Sequence, residues 1–125
     1  MKASESIQGI FAVCQLDAGA GIPHWCVHSS GLLAIVRTDR ELTVVCEEHM
    51  VPGTVRAERG FVVYRIAGTI DFAVTGVLAA LTAALADAGV SVFALSTFDT
   101  DYVLVRAGQR ERAEQALASA GYPVA

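Results

Sequence analysis

The sequence predicts an α+β fold of ferredoxin-like βαββαβ order, with antiparallel sheets and two pseudo-repeats. From Phe61 onward, apolar runs and helical periodicity alternate as strand, helix, strand, strand, helix and a short final strand. The first half repeats that order in reduced form, as strand, one-turn helix, strand and strand. The strand pairs are joined by connections short enough to make them hairpins.

Residues 1–9 read as a loose polar start, 10–60 as the first repeat and 61–125 as the second. Gly9 to Asp17 is an apolar run that reads as a buried strand, stopped at Asp17-Ala18-Gly19-Ala20-Gly21, where two glycines permit a tight turn. Pro23 to Cys26 leaves room for one helical turn, with Pro23 suited to its first position. Leu32 to Arg37 and Glu41 to Cys46 form a hairpin across Thr38-Asp39-Arg40, and Pro52-Gly53 marks a turn.

In the second repeat, Thr54 to Gly60 reads as a charged connection and Phe61 to Ala67 as a strand. Val74, Val77, Leu78, Leu81 and Leu85 recur at three- and four-residue spacing, which predicts a helix capped by Asp71 at its start and by Gly89 at its end. Val90 to Leu95 and Asp101 to Val105 are the next hairpin. Gln109 to Ala120 is the last helix, with Ala113, Ala116, Leu117 and Ala120 inward and Gly121 as its cap, and Tyr122 to Val124 adds an edge strand.

Composition excludes several classes. The 125 residues carry a net charge of −4 with nine scattered basic residues, which disfavours a nucleic-acid partner because phosphate binding needs a clustered basic surface. No apolar run reaches the length of about eighteen residues that a membrane span needs, and the start does not read as a secretory signal, so the expected location is the cytoplasm. A hydrophobic fraction of 54% in so small a chain argues that surface is buried against a second copy, as in a homodimer. The three cysteines, Cys14, Cys26 and Cys46, lie in apolar runs and read as reduced core thiols.

The βαββαβ order, Asp71 to Leu78, and the segment Leu95-Ser96-Thr97-Phe98-Asp99-Thr100-Asp101-Tyr102-Val103-Leu104-Val105 together resemble small tandem ACT-domain proteins. Pro23-x-Trp25, Arg37-Thr38, Glu41 to Cys46 and Val51-Pro52 resemble the first repeat of that group. The resemblance implies a regulatory protein that binds a free amino acid at a domain or subunit interface, similar to the tandem-ACT arginine sensors. It places Asp71, Phe72, Ala73 and Val74 on one ligand loop and Thr97, Phe98 and Asp101 on the other, Asp101 standing where the sensors' Asp meets the ligand's basic side chain. Val74 departs from the sensors, which carry an acidic residue there, and so removes one of the partners for a cationic side chain and leaves the choice of amino acid open.

The residues themselves fit that chemistry. A helix N-terminus offers N–H groups and a favourable dipole to a carboxylate, which suits the ligand loop that the resemblance implies at Asp71 to Gly76, Thr75 included, although Asp71 equally fits a plain helix cap. Gly76 either admits a close neighbour or permits tight helix packing. Ser96, Thr97 and Thr100 supply hydroxyls and Asp99 and Asp101 carboxylates for an ammonium group, while Phe98 could cover an apolar part; the same residue types equally suit an ordinary polar hairpin turn. Asp99-x-Asp101 and His24-x-Cys26-x-His28 lack the further ligands of a metal site, so neither a metal nor a cofactor is expected. No nucleophile or acid–base pair with an orienting group can be assembled, so the chain reads as non-enzymatic. The alternative is a protein–protein interaction module without a small-molecule ligand.

Overall fold

The computed structural model describes residues 4–66 and 76–125. Its strands are β1 (Ser4–Asp17), β2 (Ala34–Arg37), β3 (Glu41–Glu47), β4 (Arg56–Ile66), β5 (Val92–Ser96) and β6 (Asp101–Arg106), and its helices are α1 (Val77–Asp87) and α2 (Arg110–Ser119). Short 3-10 turns occupy His24–Cys26, Glu48–Met50 and Ala107–Gln109. The class is α+β with antiparallel strand pairing, as the periodicities require.

Two compact units divide the chain, one spanning Gln8–Phe61, the other Val62–Ala125 with the start of β1 through Ile7. In the unit of residues 8–61, β3 pairs antiparallel with both β1 and β2, Cys14 lying opposite Val44 and Ile35 opposite Val44 from the other side. Alternation then sends Ala12, Cys14, Leu42, Val44 and Cys46 to one face, where they pack with Cys26 and Val51. The chain has no α-helix here, and the His24–Cys26 turn brings a buried residue onto this cluster in its place.

In the other unit, β4, β6 and β5 lie side by side in that order, β5 and β6 as an antiparallel hairpin. Val62, Tyr64 and Ile66 of β4 and Val103 and Val105 of β6 share a core with Leu81 and Leu85 of α1 and Ala113, Ala116 and Leu117 of α2. Each strand thus turns its alternate residues toward the helices, and each helix supplies residues at three- and four-residue spacing. The Tyr64 hydroxyl donates to Glu114 at 2.8 Å, fastening α2 to β4. Burial and that carboxylate both push the Tyr64 phenol above its ordinary range.

Several ends differ from the sequence expectation. Strand β1 begins at Ser4 within the segment expected to be loose, because Ser4 donates its N–H to Pro123 and accepts from the N–H of Ala125, both at 2.8 Å. The expected edge strand at residues 122–124 is a single parallel bridge between Ser4 and Val124. Strand β4 begins at Arg56, inside the stretch expected to be a charged connection. Gly60 passes through it at φ +80°, its N–H donating to Glu48. Gly89 and Gly121 end their helices at φ +76° and +93°, as their positions predict.

Candidate functional site

The β5–β6 hairpin is closed by the turn Thr97 to Thr100, and its last paired residues are Ser96 and Asp101. Thr97 donates its N–H to the Thr100 carbonyl at 2.8 Å, and the Thr100 N–H donates back to the Thr97 hydroxyl at 3.3 Å. The polar residues of this turn are therefore partly spent on holding the turn itself. Ser96 donates its hydroxyl to the Asp101 carboxylate across the strands.

Strand alternation fixes where Asp101 points. Val103 and Val105 belong to the core beneath the helices, so Asp101, two and four residues before them, shares that side of β6. It is 7% exposed, the one described acidic residue in the molecule so deeply buried. Phe98, at the tip of the turn, is 81% exposed. Asp99 beside it is exposed, and Thr100 is half-buried.

Thr100 donates its hydroxyl to the carbonyl of Ile66, the last residue of β4. This bond draws the turn to the point where the chain leaves β4 on its way to α1. In the sequence Thr100 is one of three hydroxyls of the segment, with nothing in its residue type to mark it as the one that makes this link. Its position one residue before the strand was the available signal.

Helix α1 begins at Val77 with Gly76 in the N-cap position at φ +85°. The cap makes no side-chain hydrogen bond to the helix, and the first turn carries no acidic residue. The Gly76 carbonyl accepts the N–H of Ala80 at 2.9 Å. A Cβ built on Gly76 would meet nothing within 4 Å, so the glycine is required by its positive φ and not by close helix packing. Gly76→Ala should therefore lower stability by about 1–2 kcal/mol through backbone strain alone, read as a shift of the urea midpoint at unchanged slope. The other expected members of this loop, Asp71, Phe72, Ala73, Val74 and Thr75, lie outside the described residues, as does the expected Asp71 cap.

In the unit of residues 8–61, the turn after β1 is held by a side chain of the same unit. The Arg37 guanidinium donates to the carbonyl of Ala18, and to that of Ala20 at 2.7 Å, latching the glycine-bearing turn after β1. Beneath it the thiols of Cys14, Cys26 and Cys46 are all buried and free. Burial raises the Cys26 thiol, and a hydrogen bond to Cys14 together with burial raises Cys46 far above its ordinary value. Cys26 donates to the Pro23 carbonyl at 3.1 Å, so it serves the 3-10 turn.

The strand, helix, strand, strand, helix order with a turn tied to the first strand's end defines a ferredoxin-like domain. Residues 56–119, more than half of the chain, match the family model of the ACT domain, and the chain belongs to that family. Residues 9–54 match the model of an N-terminal domain. Among solved structures, a protein from Agobacterium tumefaciens is 31% identical with a TM-score of 0.91, the match covering 99% of this chain and 92% of that one.

A Vibrio cholerae protein of unknown function, described as a possible transport protein, is 21% identical with a TM-score of 0.78, over 95% of this chain and 89% of that one. A putative C-terminal regulatory domain of aspartate kinase from Porphyromonas gingivalis is 17% identical with a TM-score of 0.60, over 95% and 96%. These last two are likenesses of fold. Among curated proteins no match is found. Among the described residues no helix is long and apolar enough to cross a membrane.

Proposed function

We propose that this chain is a non-enzymatic regulatory protein that binds a free amino acid at the edge of the unit of residues 62–125, in a homodimer. The ligand sits between the segment Asp71 to Gly76 and the turn Ser96 to Asp101. The observation that carries this reading is the hydrogen bond from Thr100 to Ile66, because it holds the polar turn against the start of the connection that leads into α1. In this reading the two segments, distant in sequence, offer complementary chemistry to one small zwitterion.

In this arrangement the ligand carboxylate takes the N–H groups at the start of α1, where the helix dipole is positive and the first turn carries no acidic side chain. The ammonium group faces the carboxylate of Asp101 and the hydroxyls around it. Phe98, almost fully exposed, covers the side chain. With Val74 in place of an acidic residue, an uncharged side chain is favoured over a cationic one.

Isothermal titration of the protein with each of the twenty amino acids tests the reading. Saturable heat with one or a few uncharged amino acids is the expected result. No heat with any of them at about millimolar concentration would sink it.

A further inference from the structure

Helix α1 carries no charge from Val77 to Ala86, and its one ionisable residue, Asp87, ends it. Its remaining polar side chain, Thr82, turns back on the helix, donating to the Leu78 carbonyl at 2.9 Å. Leu81 and Leu85 face the sheet, yet Ala79, Ala80, Ala83 and Ala86, on the outward side, are exposed. A helix that is apolar on every side is ordinarily buried on every side. This one is covered on one side only.

Alongside that outward face runs an open groove of about 610 Å³ between α1 and α2. Ala80 and Ala83 line one wall and Ala116 and Ala120 the other, with Asp87 and Arg112 among its lining residues. The groove lies in a different set of residues from the proposed ligand site. Asp87 sits in the last turn of α1, where the helix dipole is negative and a carboxylate is disfavoured. Among the described residues neither Asp87 nor Arg112 forms an ion pair within the chain, although both border the groove.

We infer that this groove is the homodimer interface, occupied by the same α1–α2 face of a second copy related by a two-fold axis. A two-fold contact is self-complementary, so a face that carries one acid and one base at its border can satisfy both at once. Asp87 meets Arg112 of the partner subunit and Arg112 meets Asp87 of the partner subunit, while the alanine walls let the helices approach closely. The same pairing relieves Asp87 of its position at the negative end of α1. The inference does not depend on the amino-acid reading, since the contact forms without any ligand.

Sedimentation velocity on the ligand-free full chain tests it. The wild type is expected to dimerise at roughly micromolar concentration. Ala83→Glu puts a charged side chain on the groove wall at an exposed, helix-compatible position, so the fold is kept, and the dissociation constant should rise at least about tenfold. D87R and R112D should each weaken the dimer, and the double exchange D87R/R112D should recover most of the loss, because it restores both reciprocal pairs. A wild type that stays monomeric to about millimolar concentration, a dimer indifferent to A83E, or a double exchange no tighter than the single ones overturns the inference.

Discussion

Asp101→Ala is expected to weaken amino-acid binding by roughly ten- to a hundredfold, the loss of one charge-assisted hydrogen bond worth about 1.5–3 kcal/mol. Asp101 opens β6, faces the helix side of the strand and is 7% exposed, so its carboxylate acts in a medium that screens it weakly. Its visible partner is the hydroxyl of Ser96. Ser96 is itself exposed, and water can replace the acceptor it loses, so the alanine variant should remain folded. Asp101→Asn separates the two contributions. It keeps an acceptor for Ser96 and removes the charge, so binding should fall nearly as far as in the alanine variant if the ammonium is read by charge. Calorimetry on both variants decides the point, and unchanged affinity in either would move the ammonium contact away from this residue.

The unit of residues 62–125 was legible from local pattern because each of its strands is a run of Val, Ile, Leu and aromatic residues ended by glycine or a polar cluster. The helices were legible from Leu81 and Leu85, and from Ala113, Ala116 and Leu117, which recur with helical spacing and are all buried. The strand starts were not. Ser4 to Gln8 reads as loose because its polar composition has no apolar period. What holds Ser4 is its pairing with the far end of the chain, a long-range contact that no window of sequence encodes. Arg56 to Gly60 was obscured in the same way by charge and by a glycine.

At the site, the cluster of Ser, Thr and Asp marked a turn, and burial of Asp101 gives that residue a standing its composition alone could not. The sequence left Gly76 between two explanations, close packing and free approach. The open space around it removes close packing, and its positive φ adds a requirement of its own, the backbone conformation at the start of α1. Gly76 thus shapes the helix end that the ligand carboxylate is proposed to use, without touching the core.

Leu85→Ala is expected to cost about 2–5 kcal/mol of stability, a large part of what a domain of this size possesses. Leu85 is fully buried in the core formed by β4, β6 and α2. Its loss leaves a cavity that those neighbours can only partly fill. The effect should reach beyond stability because of how α1 is held. Its outward face is alanine, so Leu81 and Leu85, with half-buried Val77 and Leu78, supply most of its attachment to the sheet. Loosening that attachment displaces the helix start, and binding should weaken with it. Leu42→Ala gives the comparison, since Leu42 is equally buried in the core of residues 8–61. Urea unfolding should show both variants destabilised within the same range, while calorimetry finds affinity lowered in L85A and retained in L42A. Equal affinity in the two would mean that the helix start contributes nothing to the ligand, and the carboxylate contact would have to be sought elsewhere in the unit of residues 62–125.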